Sequence, residues 1–462
     1  MVGQTRRLAV WVHDVEASAL SADLVGCVRA RILDAIACAG AGSRMPEMRA
    51  LSNALANTDT DGPGQSWFSP YRCSLSTEVF VNASLIHALD WDDSHPRSKT
   101  HPGAPVIPVA LAIARWAGAD LSDLFAGIVA GYEVSMRLAN AVGVAAHRRS
   151  GWHATATCGS VGAAAAAARV LRLAPEDIAS ALGHGATQAA GLWAFATDGA
   201  MSKKIHPGHA ARAGLTAAIL AKAGVSGSRV VLEATDGGFF RAFAPDRAEA
   251  DWSEILAGIG FPYWLPEVAT KPYPCCRTAH TAIDAVLAMR ADGLCASDVG
   301  GIDVYTYELG VQQCGFNNPV NEVQAAFSTP YVVACALSDG WVGPEHFTAK
   351  RLKDPALADL QGRVRVRHDP RLDESFPDRW PSRVVARTAD GKTWERRVDV
   401  ALGDPAAPMS ESQLQQKFSA GVVPSLNVEE ALRLSQLVGH LPICGDASAL
   451  WDAFTDSCPS EG

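Results

Sequence analysis

Two stretches rich in alanine and glycine decide the fold: residues 159–168 (GSVGAAAAAA) and residues 210–223 (AARAGLTAAILAKA). Alanine has the highest intrinsic helix propensity, so both stretches favour helix. Side chains this small also let two helix axes approach closely. We therefore expect both stretches to lie in tightly packed helices.

The surrounding sequence is helical in pattern over roughly the first 265 residues. Residues 23–39 place apolar side chains every three to four positions, which is typical of an amphipathic helix. Ser122 is the predicted N-cap of a further helix, whose apolar stripe runs over residues 125–136. This part of the chain is therefore predicted to be all-helical.

The pattern changes after about residue 296. Residues 302–307 are β-branched and aromatic, and residues 364–367 alternate apolar and charged side chains, as strands do. Residues 383–400 contain Asp390-Gly391 at the centre, a dipeptide suited to a two-residue hairpin turn. Reciprocal N-terminal caps are predicted near the end of the chain, at Ser410 with Gln413 and at Asn427 with Glu430. The sequence thus predicts helices, then a smaller α/β part, then helices again.

Composition excludes several function classes. The 462 residues include 40 Lys plus Arg and 49 Asp plus Glu, and the resulting net charge of −9 argues against nucleic acid as a partner. The first 18 residues contain no long apolar run, and the 11 cysteines include no CxxC pair, so we expect a cytoplasmic protein with reduced thiols. The longest stretch without charged residues, 178–197, is interrupted by polar residues and glycines, so no membrane span is expected.

Two clusters combine histidine with turn residues in the first half of the chain. Residues 90–95 (DWDDSH) with His101 could form a divalent-metal site, an acid/base loop or a capping turn, and the residues alone leave these open. His153 follows Gly151-Trp152 and opens the helix that contains residues 159–168. The helix dipole disfavours its protonation there, which suits either a neutral base or a histidine of the core.

Two further clusters carry positive charge. Lys203 and Lys204 come directly before the helix predicted from Ala210, with apolar residues around them, so we favour an anion site over a solvated charge run. In the other cluster, residues 271–277 (KPYPCCR) and His280 offer three more possible anion ligands. Adjacent cysteines point in different directions, so at least one of the two is expected to be structural.

Taken together, these segments resemble the MmgE/PrpD family, whose members dehydrate 2-methylcitrate, decarboxylate cis-aconitate or epimerise iminodisuccinate. The resemblance covers nearly the whole chain. It is carried by residues 90–110, 151–167, 199–223, 271–286, 324–337 (QAAFSTPYVVACAL) and 404–418.

The resemblance implies a mainly α fold: a large all-helical domain built from both chain ends and a smaller inserted α/β lid domain. The corresponding boundaries are 1–266 and 404–462 for the helical domain and 267–403 for the lid. It further implies a homodimer that works without a metal or organic cofactor. The active site would lie in a cleft between the domains and take a small-molecule carboxylate, with neither nucleic acid nor membrane as a partner.

The resemblance also implies site residues. The implied catalytic residues are Asp90, His101, His153 and Tyr331, and the implied substrate-binding residues are Ser94, Lys203, His206, Lys271, Cys276, Arg277 and His280. Ser94 replaces a threonine of the animal decarboxylase, and the loop from Ser94 to His101 is one residue longer. Cys276 stands where that decarboxylase has a further active-site histidine, which argues against cis-aconitate decarboxylation.

The leading functional prediction is a cofactor-independent lyase of the dehydratase type, acting on a hydroxy-polycarboxylate such as a methylcitrate-like acid. Proton abstraction next to a carboxylate requires cations that spread the developing charge and imidazoles that titrate near neutrality. An epimerase acting on a carboxylate is the alternative. A cis-aconitate decarboxylase and a non-catalytic carboxylate-binding relative are less favoured.

Overall fold

The computed structural model describes residues 3–59, 62–243, 251–376 and 379–456. The chain divides into two compact units. Unit 1 comprises Met1–Ala88, Asp92–Val268 and Gln415–Gly462, and unit 2 comprises Leu89–Trp91 and Ala269–Leu414.

The first part of the chain is built almost wholly of helices. They are α1 (Gln4–Asp14), α2 (Ala22–Gly42), α3 (Pro46–Ala56), α4 (Leu75–His87), α5 (Gly103–Ala117), α6 (Leu121–Ala141), α7 (Val144–Arg149), α8 (Ala154–Val170), α9 (Pro175–Thr187), α10 (Phe195–Asp198), α11 (Ser202–Lys222), α12 (Phe239–Phe243) and α13 (Trp252–Leu256). Two short strands, β1 (Gly64–Gln65) and β2 (Arg72–Cys73), form an antiparallel pair in unit 1.

Helix α8 lies at the centre of unit 1 and packs against α5, α6, α9 and α11. A Cβ atom at Gly131 of α6 would lie 2.8 Å from the Cβ of Ala166 of α8, and one at Gly214 of α11 would lie 2.6 Å from the carbonyl carbon of Ala163. These helices therefore approach so closely that only glycine fits at the two crossings. The tight helix packing predicted from the two small-residue stretches is confirmed.

Two predicted helix starts are wrong. The N-cap of α6 is Asp120, whose carboxylate accepts the Asp123 N–H at 3.0 Å, while Ser122 lies inside the helix and donates to Asp120. Helix α11 begins at Ser202 rather than near Ala210, so Lys203 lies in its first turn. The helix continues through Pro207, which lacks only one intrahelical hydrogen bond at that point.

Unit 2 contains a four-stranded mixed sheet. Its strands are β3 (Val299–Thr306), β4 (Val364–His368), β5 (Ser382–Thr388) and β6 (Thr393–Val398). The order is β4-β3-β5-β6, with β3 parallel to β4 and the other two pairs antiparallel. The predicted hairpin between β5 and β6 is confirmed, but its turn is wrong: Thr388 N–H bonds to Lys392 O, so the loop has three residues, 389–391, and ends on Gly391 at a φ of 86°.

Unit 2 also contains helices, some of which pack against the sheet. They are α14 (His280–Ala291), α15 (Glu308–Cys314), α16 (Glu322–Ala326), α17 (Thr329–Asp339), α18 (Ala349–Leu352), α19 (Pro355–Gly362) and α20 (Pro370–Asp373). Helix α14 packs against β5 and β6 and also against α17, and a buried apolar core lies between these elements. Because α14 directly follows the predicted Lys271–Arg277 cluster, its packing fixes one end of that cluster.

Three helices close the chain: α21 (Glu411–Val422), α22 (Val428–Gly439) and α23 (Ser448–Asp456). Both predicted reciprocal caps are present, with Gln413 bonded to Ser410 and Glu430 to Asn427. Short 3-10 helices lie at Ala17–Ala19, Leu265–Glu267, Arg277–Ala279, Ala296–Asp298 and Pro344–His346.

More than half of the described residues are helical and few lie in strands, so the mainly α prediction is confirmed. Among those residues, none of the helices combines the length and the apolar character that a bilayer span requires.

Candidate functional site

A buried aspartate joins two histidines in unit 1. His87 is the last residue of α4, and its Nδ1 lies 2.8 Å from one carboxylate oxygen of Asp92 and 3.1 Å from the other. His101 lies in the loop before α5, and its Nδ1 is 3.4 Å from Asp92 Oδ2. The two imidazole rings meet edge to face, with centroids 4.8 Å apart.

A second pair of histidines extends this group. The ring of His153, at the N-cap of α8, lies 5.9 Å from the ring of His87. On its other side, the Nδ1 atoms of His153 and His206 are 3.1 Å apart, so one ring must donate an N–H and the other must accept it. His101, His87, His153 and His206 therefore form a continuous row of imidazoles, which we call the imidazole row.

Burial keeps three rings of the imidazole row, those of His87, His153 and His206, neutral near pH 7. Desolvation lowers the pKa of His153 well below its usual value, and a proton on the neighbouring His87 or the charge of Lys203 lowers it further. Desolvation likewise lowers the pKa of His206 to about 4 and that of His87 below its usual value. The predicted neutral state of His153 thus has desolvation as its main cause, rather than the helix dipole.

Asp92 is the negative charge of this site. Burial alone would raise the pKa of its carboxyl, but the imidazoles of His87 and His101 hold it well below the usual value. The next residue behaves in the opposite way, because burial raises the pKa of Asp93 to about 6. Asp93 accepts hydrogen bonds from the Tyr132 hydroxyl at 2.6 Å and from the Gly103 N–H at 3.0 Å. Asp93 therefore fixes the start of α5, immediately after His101.

Aromatic side chains and a serine complete the surroundings. The His153 ring contacts Trp193 edge to face at 5.4 Å and Phe195 at 6.0 Å, and these rings keep water away from it. Ser94 is buried, and its Oγ has no hydrogen-bond partner among the described residues. A buried hydroxyl in that state is available to a ligand.

Not every histidine of the first cluster joins the imidazole row. The His95 Nδ1 lies 2.8 Å from Ser98 Oγ and its Nε2 3.4 Å from Glu267, while its ring stacks on Trp264. These contacts give His95 a structural role, in tying its loop to the segment around Glu267.

The predicted alternatives for this cluster included a divalent metal. Ligand atoms of His87, Asp92 and His101 do lie within 4.8 Å of one another, a spacing that a small cation could bridge. The 2.8 Å contact between His87 and Asp92 is, however, an ordinary hydrogen-bond distance. Hydrogen bonding therefore accounts for the arrangement of His87 and Asp92.

Unit 2 holds the second group of predicted residues. Lys271 Nζ donates to the backbone oxygen of Asp90 at 2.6 Å and to its carboxylate at 3.0 Å, and the lysine side chain is only 3% exposed. Asp90 adopts a left-handed φ of 53°, an uncommon conformation that costs free energy outside glycine. The ion pair with Lys271 holds the aspartate in this conformation.

Three predicted binding residues follow Lys271. Arg277 Nη2 bonds to Asp404 at 2.5 Å, while its Nη1 is buried without a hydrogen-bond partner among the described residues. His280 opens α14, donates its Nε2–H to the Cys275 carbonyl at 3.2 Å, and has a buried Nδ1 with no such partner. Hydrogen bonding by Cys314 lowers the pKa of the Cys276 thiol, whereas burial raises that of Cys275.

Tyr331 lies at the start of α17, where its N–H bonds to the N-cap Ser328. Its hydroxyl donates to the backbone oxygen of His346 at 2.5 Å, and burial raises its pKa above the usual value. The ring packs against Phe347 in the apolar core of unit 2. In this structure the phenolic proton is thus engaged in a bond to the backbone.

The sequence interpretation missed His87 and the specific role of Asp92. His87 ends an apolar helix, and its sequence neighbours give it the appearance of a core residue. The available signal was the five-residue separation from Asp92, which places a histidine at a helix end and a carboxylate in the following turn. That separation is too common to identify a site without the fold.

The protein is mainly helical, and its unit 1 contains buried neutral imidazoles, an aspartate that contacts two imidazole rings, and a nearby lysine. These groups can carry out acid–base chemistry on an anion. Comparison with known families identifies the class more closely. The MmgE/PrpD N-terminal domain matches residues 6–250 and the MmgE/PrpD C-terminal domain matches residues 273–441. The chain belongs to the MmgE/PrpD family.

Curated relatives align over almost their full length. A cis-aconitate decarboxylase from Aspergillus terreus is 26% identical over 479 residues, covering 99% of this chain and 96% of the relative. The cis-aconitate decarboxylase of Homo sapiens is 26% identical over 475 residues, covering 99% and 95%. That of Mus musculus is 26% identical over 467 residues, covering 96% and 92%. The family is thus one of enzymes that act on carboxylates, and the chain is an enzyme of this family.

Proposed function

We propose that the protein is a lyase that works on a small polycarboxylate by moving a proton at the carbon next to a carboxylate, with dehydration of a hydroxy-tricarboxylate as its reaction. The observation that carries this proposal is the imidazole row, in which buried neutral rings lie beside Asp92 and close to Lys203. A neutral imidazole accepts a proton from carbon, and a protonated one returns it to a leaving hydroxyl.

His153 is the proposed general base. Its lowered pKa keeps the ring neutral at pH 7, and its contact with His206 gives an accepted proton a neighbouring nitrogen at 3.1 Å. The aromatic side chains of Trp193 and Phe195 exclude water from the ring, so charge developing on a substrate is poorly screened there.

Lys203 is the proposed cation for the substrate. It lies in the first turn of α11, and its charge is close enough to lower the pKa of both His153 and His206. A positive charge beside the base stabilises the enolate-like state that forms when a proton leaves the carbon next to a carboxylate. Ser94 Oγ, which is buried and lacks a partner among the described residues, is the proposed hydrogen-bond donor to the substrate.

Decarboxylation of cis-aconitate is the second candidate, because the relatives named above carry that activity in their names. The cysteine at position 276 is the feature that separates the candidates. The thiol is engaged with Thr278 at 3.6 Å and with Cys314, and a thiol does not offer the two ring nitrogens of an imidazole. We therefore place dehydration first, with an epimerase reaction as the remaining alternative.

The test is a product screen by ¹H NMR with citrate, 2-methylcitrate, cis-aconitate and iminodisuccinate. Formation of an alkene with loss of water from a hydroxy acid supports the proposal. Release of CO₂ from cis-aconitate establishes the second candidate instead. Exchange of a C–H with D₂O and no net change in the acid establishes the epimerase.

Several expectations from the resemblance remain predictions. They are the homodimer, the cytoplasmic location and the roles of Lys271, Arg277, His280 and Tyr331 in binding or proton donation.

A matched comparison of His153→Gln with His147→Gln connects activity to the imidazole row. His147 is equally buried in unit 1, but both of its nitrogens bond elsewhere, to Phe243 O and Thr157 Oγ1.

A further inference from the structure

We propose that His87 is a positioning residue for proton transfer: it holds the Asp92 carboxylate, and this carboxylate in turn fixes the orientation and tautomer of His101. The inference rests on the proposed function, because His101 is positioned for a reaction only if one takes place there. His87 is assigned no role by the sequence or by the family resemblance.

The Asp92 carboxylate determines which nitrogen of His87 carries a hydrogen. An ionised carboxylate only accepts hydrogen bonds, so the 2.8 Å contact requires His87 Nδ1 to carry a hydrogen that it donates to Asp92. The same oxygen, Oδ2, lies 3.4 Å from His101 Nδ1. Asp92 Oδ2 thus faces the Nδ1 atoms of both rings, as a hydrogen-bond acceptor for His87 and as an ion-pair contact for His101, and its negative charge favours the Nδ1–H form of both.

His87 differs in its hydrogen bonding from another buried histidine of unit 1. His147 bonds through both ring nitrogens, at 3.0 Å and 2.8 Å. His87 is 1% exposed, bonds only through Nδ1, and has no hydrogen-bond partner for Nε2 among the described residues. Leaving a buried ring nitrogen without a partner is costly, and such groups in native structures call for an explanation.

The His87 ring also lies in the middle of the imidazole row. His87 lies between the other members of the imidazole row, with its ring 4.8 Å from that of His101 and 5.9 Å from that of His153. Loss of His87 would remove the packing surface for both rings and one of the hydrogen bonds that orient Asp92. A displacement of about 1 Å at a reacting group can lower turnover on the order of 10²-fold.

Conservative variants separate the two nitrogens of His87. Asparagine can place an amide N–H near the position of Nδ1, whereas glutamine places its amide near that of Nε2. If His87 acts through Asp92, His87→Ala should lower kcat on the order of 10²-fold with KM changed less than about threefold. His87→Asn should then recover much of the loss, and His87→Gln should not.

The matched control is His147→Gln, which removes another buried imidazole of unit 1. Equal losses of kcat in His147→Gln and His87→Ala would show a general effect of disrupting the core, and would overturn the inference. Equal activities of His87→Asn and His87→Gln would also overturn it. The inference would also be overturned if a chelator abolished activity and added Zn²⁺ restored it, because a bound cation would then orient His87, Asp92 and His101.

A measurement without substrate separates this inference from the proposed function. Spectra of the ¹⁵N-histidine-labelled protein should show His101 protonated at Nδ1, and His87→Ala and Asp92→Asn should each shift it towards the Nε2–H form. His147→Gln should leave the His101 tautomer as it is. If no polycarboxylate is consumed but this pattern holds, the proposed function fails and the positioning of His101 stands. A His101 tautomer that is unaffected by His87→Ala refutes the positioning role whether or not the protein turns over.

Discussion

Acid should destabilise the protein through its buried histidines, and His206 allows the size of the effect to be calculated. In the folded chain its pKa falls from the ordinary 6.5 to about 4, first because of desolvation and then because of the charges of His87, His209 and Lys203. His153 Nδ1, 3.1 Å away, also opposes a second proton in the pair. The folded state therefore resists a proton that the unfolded chain accepts readily.

The sign of the effect follows from this difference in pKa. Above pH 6.5 both states are neutral at His206, so the stability is full. As the pH falls from 6.5 towards 4, the unfolded chain binds the proton and the folded chain does not, so the free energy of unfolding decreases. At pH 5 the loss from this one group is about 1–2 kcal/mol, where the lower value allows for solvent screening.

The assay is urea unfolding of the wild type and His206→Gln at pH 7.5 and pH 5.0. Glutamine cannot titrate, so the difference in unfolding free energy between the two pH values should be about 1–2 kcal/mol smaller in the variant. Equal pH dependence in the two proteins would refute the claim that His206 is held neutral in the fold.

Two further substitutions test the packing and the ion pair directly. Gly214→Ala should destabilise the protein by about 1–3 kcal/mol, because the new Cβ would lie 2.6 Å from the Ala163 carbonyl carbon. Gly26→Ala is the control: a Cβ there has no heavy atom within 4 Å, so this variant should stabilise the protein by about 0.5–1 kcal/mol. Thermal denaturation measures both changes, and equal effects of the two substitutions would contradict the close helix crossing. Lys271→Met should lower the free energy of unfolding by about 3–5 kcal/mol, because it leaves the Asp90 carboxylate without the cation at 3.0 Å. In urea unfolding, the double variant Lys271→Met with Asp90→Asn should recover part of that loss. Strictly additive effects of the two substitutions would show that the two charges do not interact.

The sequence was most informative where local chemistry decides the structure. The small residues around Ala163 and Gly214 predicted close helix packing, and Asp390-Gly391 predicted a hairpin, because each pattern has few physical alternatives. The start of α11 was predicted too late, because the helix begins at Ser202 and runs through Pro207. Ser122 was chosen as an N-cap because serine commonly caps helices, although Asp120 accepts the hydrogen bond.

The candidate site was predictable only in part, because its contacts join residues far apart in the chain. The motifs singled out His101, His153 and Lys203, but not the separation of 3.1 Å between His153 and His206 that makes them one hydrogen-bonded pair. His87 was missed because the sequence of an apolar helix does not reveal that its last side chain contacts Asp92, the carboxylate five residues later in the chain. His95, which belongs to the same sequence cluster as His101, bonds instead to Ser98 and Glu267.

The most direct test of the whole account is the fate of one carbon-bound hydrogen. The enzyme is incubated in D₂O with each hydroxy-polycarboxylate of the screen, and ¹H NMR follows the signal of the carbon next to the carboxylate. The account predicts that the wild type removes this hydrogen as product forms, and that His153→Gln slows its removal by roughly 10²–10⁴-fold while His147→Gln does not. Product formation by His153→Gln at the wild-type rate would contradict the assignment of proton transfer to the imidazole row.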